Sequence, residues 1–327
     1  MEDKGSQSIK DKDHTQTGRS GKKSYQLVFW LLVAKIILIL LLVGLSVWLI
    51  YSVRSAGSGN RPAVSFAGVS GSGYTEDGKK LWIASSSGIV SYENGIWKKE
   101  SSSRNPAGSR FLPVKNGYIQ ISPDGTEGQQ KTLAGQKETA FRISGAGNGG
   151  AWAAGYATSA LYRLKENGNR VILSFSDDGG KTWIQRRLNG IRGSINAVAA
   201  HPRNTAAFAV ATTRGLFLTA NGGRSFQTIL GGQNVSCVAY GFGAKVSLLA
   251  GTIGQQTGLY SIIPSAGKAI NLDMGSVESD RLVLIVASPV HDQESVVLTN
   301  GGDAYSTTNG GQNWVVMAQK GRTLSGK

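Results

Sequence analysis

Three histidines, one cysteine and a pair of adjacent aspartates are the residues of this 327-residue chain whose types invite chemistry. His14, His201 and His291 lie far apart and lack the spacing of metal ligands, so no metal site is expected. Asp177 and Asp178 could hold an ion, but a carboxylate that braces a turn needs none. Cys237 stands in the apolar stretch NVSCVAY and reads as a small buried residue. Being single, it cannot form an internal disulfide, and the domain must fold on packing alone. The glycine clusters lack the strand-to-helix setting of a phosphate loop or a dinucleotide fingerprint, so no cofactor is expected. His201-Pro202-Arg203-Asn204 follows an apolar run and reads as a turn.

The strongest pattern is a repeated octapeptide. Ser176-Asp177-Asp178-Gly179-Gly180-Lys181-Thr182-Trp183 fits S-x-D-x-G-x-T-W fully, with Ser176, Asp178, Gly180, Thr182 and Trp183 at the defining positions. Thr219, Asn221, Gly223, Ser225 and Phe226 repeat it, as do Thr307, Asn309, Gly311 and Trp314, with conservative replacements. Asp178 and Asn221 are 43 residues apart, and Asn221 and Asn309 are 88 apart, or two periods of 44. A worn copy is expected near Ser265 and Gly267, and others in GIVSYENGIW (residues 88–97) and GYIQISPDGTEG (residues 117–128). The Asp or Asn oxygen can accept backbone N–H bonds while the glycines supply positive φ, which joins two antiparallel strands.

A period of 43–44 residues is the length of a four-stranded blade. On these octapeptides the chain resembles the BNR/Asp-box propeller superfamily, which includes sialidases and the photosystem II assembly-factor type of propeller. The resemblance covers most of residues 66–320. It implies an all-β fold, a β-propeller, with six blades and boxes near residues 94, 124, 178, 221, 265 and 309. The short interval from 94 to 124 and the long one from 124 to 178 leave room for a seventh. Short β-rich runs separate the boxes, such as SINAVAAHP, AFAVATT and GLFLTANGGRSFQTIL. Residues 62–75 are expected to close the ring against the last blade.

In that superfamily the boxes lie on the periphery, so they imply architecture and not activity. Sialidases carry an arginine in an (F/Y)-R-I-P segment before a strong box, and Phe141-Arg142-Ile143-Ser144 is similar to it. Such an enzyme also needs a nearby carboxylic acid to protonate the leaving oxygen. No Asp or Glu stands between Phe141 and Glu166. No catalytic residue is therefore assigned, and an atypical glycoside hydrolase is kept as the alternative. Arg142, on an inner strand, and His201 and Arg203, in a mouth loop, are the candidates for a ligand-binding face.

From Leu27 to Val53 the chain holds 27 residues with one charge, Lys35, where about 20 suffice to cross a bilayer. Trp30, Trp48 and Tyr51 fit interfacial belts, and Lys35 can snorkel. The apolar run is longer than a cleavable signal core and is followed by Arg54, so residues 25–53 read as an uncleaved transmembrane signal anchor. Arg19, Lys22 and Lys23 before it, against Arg54 and Arg61 after it, put the N-terminus in the cytoplasm and the propeller outside. Residues 1–24 lack apolar side chains and are expected to be a disordered tail, with 54–65 a linker and 66–327 the propeller.

The net charge is +15, and beyond the tail and Lys35 the chain carries 28 basic against 16 acidic residues. A cationic propeller on a membrane tether suits a non-enzymatic binding or assembly role toward a protein partner or an acidic polymer. Nucleic acid is not expected.

Overall fold

The structure, a computed structural model, describes residues 20–57, 64–101, 104–115, 117–133, 138–143, 149–243, 246–254, 258–274 and 280–324. It divides into two units, Met1–Arg61 and Pro62–Lys327. The first contains one helix, α1 (Ser20–Gly57). Within it, Val28–Trp48 is 21 residues long and apolar enough to cross a membrane, or about 31 Å at 1.5 Å per residue. Its side chains are exposed, Trp30 and Trp48 among them. The helix begins inside the expected tail and runs four residues into the expected linker, because no proline interrupts it before Pro62. The disorder expected for residues 1–19 lies outside the described residues.

The second unit is a six-bladed β-propeller. Blade I takes β1 (Val69–Tyr74), β2 (Lys80–Ser85), β3 (Gly88–Glu93) and β4 (Ile96–Ser101). Blade II takes β5 (Arg110–Val114), β6 (Gly117–Ile121), β7 (Glu127–Lys131) and β8 (Glu138–Arg142). Blade III takes β9 (Ala151–Ala154), β10 (Leu161–Asn167), β11 (Arg170–Ser176) and β12 (Ile184–Leu188). Blade IV takes β13 (Ile195–Ala200), β14 (Phe208–Thr212), β15 (Gly215–Thr219) and β16 (Gln227–Ile229). Blade V takes β17 (Asn234–Tyr240), β18 (Leu248–Ile253), β19 (Gly258–Ile263) and β20 (Lys268–Asn271). Blade VI takes β21 (Leu282–Ala287), β22 (Ser295–Thr299), β23 (Ala304–Thr307) and β24 (Val315–Gln319), with a short fifth strand, β25 (Arg322–Thr323). All pairings are antiparallel, and β1, β5, β9, β13, β17 and β21 neighbour one another around the ring.

Both faces of each blade are buried, which explains the near-continuous apolar runs of the second and third strands. In β14, Phe208 and Val210 enter the cluster shared with blade III, while Ala209 and Ala211 enter the one shared with blade V. In β15, Phe217 faces blade III, and Leu216 and Leu218 face blade V. Six apolar clusters fill the six blade interfaces. Each fully buried Leu, Ile or Phe there contributes roughly 1.5–3 kcal/mol of transfer free energy.

The octapeptide turns of blades III, IV and VI join the third strand to the fourth. In each, the second glycine has positive φ, at 92°, 82° and 92° for Gly180, Gly223 and Gly311. Each also packs against the preceding blade. A Cβ on Gly180 would come 2.6 Å from the Phe141 ring, one on Gly223 2.5 Å from Leu188, and one on Gly311 2.8 Å from Leu272. The turns thus lock neighbouring blades as well as reversing the chain. In blade V the same connection is a 3-10 turn, Pro264–Ala266, with Gly267 left-handed at φ 61°.

Two expectations need correction. Ser122-Pro123-Asp124-Gly125-Thr126 joins β6 to β7, the second and third strands of blade II, so it is not that blade's third-to-fourth turn. The true equivalent lies between Lys131 and Glu138. This accounts for the irregular spacing and leaves no seventh blade. Second, residues 69–74 are the inner strand of blade I itself. Ring closure falls to residues 64–66, which pair with β25: Phe66 N donates to Gly321 O at 2.8 Å and Thr323 N to Val64 O at 3.0 Å.

Candidate functional site

The six inner strands run the same way, so their first residues gather at one mouth of the central channel and their last at the other. At the entry mouth an open funnel of about 920 Å³ is lined by all six blades. The far end narrows to about 170 Å³, where Tyr156, Pro202 and Phe242 join the lining. Tyr156 and Phe242 meet edge to face there, with ring centroids 4.7 Å apart.

A recurring irregularity shapes the funnel. The inner strands of blades I, IV, V and VI each slip register near their start, at the second residue or, in blade V, the third, between Val69 and Gly71, Ile195 and Ala197, Val235 and Cys237, and Leu282 and Leu284. A bulge inserts one residue and re-aims a side chain. The bulged residues Ser70, Asn196, Ser236 and Val283 all line the funnel. Asn196 Nδ2 donates to Asn234 Oδ1 at 2.9 Å and to Val235 O at 2.7 Å, which ties blade IV to blade V. Ser236 Oγ donates to Gly251 O at 3.2 Å.

The funnel is cationic. Arg110, Lys165 and Arg281 line it, against one carboxylate among the described lining residues, Glu166. Glu166 is engaged, since its Oε1 accepts the Ile195 N–H at 2.6 Å. Behind Arg110 lies Arg163, 3 % exposed, whose Nε and Nη2 donate to Gly149 O and whose guanidinium stands 5.3 Å from the Trp152 ring. Burial lowers the pKa of both guanidinium groups, and for Arg163 the nearby Arg110 lowers it further. Cys237 is buried in the wall, and burial pushes its thiol up to about 11, so it is no nucleophile at neutral pH.

The sequence candidates fall elsewhere. Arg142 lies on β8, the outermost strand of blade II, exposed and opposite Glu127, and not on an inner strand. Its neighbour Phe141 fills the gap between Gly128 and Gly180, so FRI here is a packing segment. His201 and Arg203 sit in the loop after β13, at the narrow end. His201 Nδ1 accepts the N–H groups of Arg203 and Asn204, both at 3.1 Å, and its ring packs 5.2 Å from Tyr240. Burial, then Arg203, lower its pKa, which keeps it a neutral turn brace. Arg203 Nη2 donates to Phe242 O at 3.1 Å. The funnel residues Arg110, Arg281 and Asn196 were not singled out by sequence. Their only common mark is a place at the start of, or just before, an inner strand.

The octapeptide turns are built by their own side chains. Asp178 accepts from Ser176 Oγ at 2.8 Å, Lys181 N at 3.0 Å and Thr182, while Ser176 Oγ accepts the buried Gly180 N–H at 2.8 Å. Thr219 and Asn221, and Thr307 and Asn309, repeat this. Asn221 Nδ2 adds a bond to Ser225 Oγ at 2.8 Å. Trp183 packs edge to face on Trp152 at 6.0 Å, Phe226 on Phe208 at 6.0 Å, and Trp314 joins the cluster between blades V and VI. Among the described residues no group of His, Cys, Asp and Glu could hold a metal.

No family model matches the chain, and no curated protein matches it. Solved structures do. A GH74 enzyme of Niastella koreensis aligns at TM-score 0.55 and 15% identity over 78% of this chain, which spans less than half of that one (46%). The WD40 repeats of RRP9 align at TM-score 0.50 and 11% identity over 78% of this chain and 80% of that one. YCF48 bound to a D1 peptide aligns at TM-score 0.47 and 13% identity over 78% and 83%. At these identities the likeness is one of fold alone.

Proposed function

We propose that this chain is a membrane-tethered, extracytoplasmic propeller of the Asp-box type that binds a protein partner at the open mouth of its ring without catalysis. The observation that carries the reading is the funnel itself. It is wide, lined by all six blades and cationic, and among its described lining residues the one carboxylate, Glu166, is already committed to a backbone N–H. A glycoside hydrolase requires two free carboxyl groups about 5–9.5 Å apart across the scissile bond. A rigid disc whose loops and bulges converge on one opening suits binding instead. The apolar stretch Val28–Trp48 serves as the anchor, and the excess of Arg19, Lys22 and Lys23 before it favours a cytoplasmic N-terminus.

The test is site-specific photo-cross-linking in intact membranes. A photoreactive residue replacing Val69 or Ile195 at the mouth should yield a discrete protein adduct, and one replacing Val315 on the outer strand of blade VI should not. Adducts from Val315 alone, or cleavage of glycosides by the purified full chain, would overturn the reading.

A further inference from the structure

The two funnel arginines stand in a defined relation to blade I. Arg110 opens β5 and Arg281 immediately precedes β21, and these are the two inner strands that flank β1. Between them Gly68 and the first residues of β1, Val69, Ser70 and Gly71, line the funnel. The small size is enforced: a Cβ on Gly71 would lie 2.0 Å from Phe111 O. The start of β1 thus adds little bulk to the funnel wall between the strands that carry the two arginines.

Neither arginine is spent on an ion pair among the described residues. Among the described residues Arg110 Nη1 donates to Gly108 O, at 3.1 Å, and burial lowers the pKa of the guanidinium. Asp280, next to Arg281, is occupied by backbone: its oxygens accept from Arg281 N at 2.8 Å and Gly301 N at 2.7 Å. Two donors in the same wall are also unanswered. Ser109 Oγ and Trp152 Nε1 are buried without a hydrogen-bond partner among the described residues. Four other side-chain atoms are orphaned in the same way, among them Trp97 Nε1 and Trp314 Nε1 in blade interfaces, so what distinguishes the funnel is its two arginines and the lining between them.

We propose that the funnel receives an acidic peptide segment of a protein partner, its carboxylates taken by Arg110 and Arg281 and its apolar side chains by Val69, Ile195 and Val283. The guanidinium fork matches a carboxylate with two parallel bonds. A volume of about 920 Å³ is at the upper end for ligand pockets and accommodates several peptide residues. The mixed lining decides between anions. A polyphosphate or phosphodiester chain would satisfy the arginines and leave the apolar wall uncovered, whereas a peptide that mixes acidic and apolar residues covers both. This inference rests on the mouth-binding reading above and adds the chemistry of the partner.

The experiment selects binders from a random heptapeptide display library against the full chain in lipid nanodiscs. Enriched peptides should combine Asp or Glu with apolar residues. Their affinity should fall roughly tenfold for Arg110→Gln and for Arg281→Gln, since a charge-assisted pair contributes about that factor or more. Arg110→Lys should recover only part of it, because the fork is lost. Lys99→Gln on the outer strand of blade I should change nothing, and melting curves of all variants separate loss of binding from loss of fold. Affinity should also weaken as salt rises from about 50 mM to about 500 mM. An enriched set without acidic residues, no enrichment at all, unchanged binding by both arginine variants, or equal displacement by polyphosphate at matched charge would overturn the proposal. In those outcomes mouth cross-links would persist if only the acidic chemistry is wrong, and vanish if the mouth is not the binding surface.

Discussion

Thr182 makes three hydrogen bonds to the carboxylate of Asp178: N–H to Oδ1 at 3.0 Å, N–H to Oδ2 at 3.1 Å, and Oγ1 to Oδ2 at 2.7 Å. These bonds hold the chain reversal between β11 and β12. Asp178→Ala should remove them and lower the melting temperature by about 2–4 °C, read by circular dichroism on the full chain. Asp178→Asn should cost less, since Asn221 and Asn309 make the equivalent turns with Oδ1 accepting from Ser225 N at 3.1 Å and Asn313 N at 2.9 Å.

The same carboxylates tie stability to pH. The Ser122 and Thr126 hydroxyls and the Thr126 N–H hold Asp124 down to about 2, and the Thr182 N–H and hydroxyl hold Asp178 well below the usual carboxylate range. A folded pKa below the unfolded one gives stabilisation that is complete above about pH 4 and is lost as pH falls through the folded value. Melting temperature should drop between about pH 4 and pH 2. The drop should shrink in the Asp124→Asn, Asp178→Asn double variant. An unchanged acid limb would show that other groups govern it.

Gly180 couples blades II and III through the Phe141 ring. Gly180→Ala should cost about 1–3 kcal/mol, from overpacking and from positive φ, as measured by urea unfolding. Adding Phe141→Leu should recover part of that cost if the clash with the ring is its source, and a strictly additive pair would argue against it.

Ring closure is the contribution of Phe66, 1 % exposed and packed against Trp97 at 6.1 Å while its N–H pairs with Gly321 O. Phe66→Ala should cost about 3–5 kcal/mol. Limited proteolysis should then cut first near the paired segments 64–66 and 321–323. Cuts appearing first in blades III or IV would count against a closure weakened at this seam.

Cys237 is 2 % exposed with its thiol pushed up to about 11, so it should resist maleimide until the protein is denatured. That leaves a silent background for mapping topology. In intact cells a membrane-impermeant maleimide should label Val315→Cys and not Thr17→Cys. The reverse pattern would refute the proposed orientation.

What the sequence disclosed follows from what is local. Each box is written in eight consecutive residues, so Asp178, Asn221 and Asn309 revealed the blade period and hence the ring. The same locality misled at Asp124, because Ser122 and Thr126 build an aspartate turn with much the same bonds between a different pair of strands. Arg142 misled for the opposite reason: three residues of a motif matched, while strand order, which decides centre or rim, is set by long-range pairing. The funnel was not legible at all. Arg110, Arg281 and the bulged Asn196 come together only once six inner strands close, and a bulge leaves no mark in a pattern of alternation.

The channel narrows toward Tyr156 and Phe242, so the two mouths of the ring are unequal. The space falls from about 920 Å³ at the wide mouth to about 170 Å³ at the narrow end, so an entering segment finds most of its contact surface at the wide mouth.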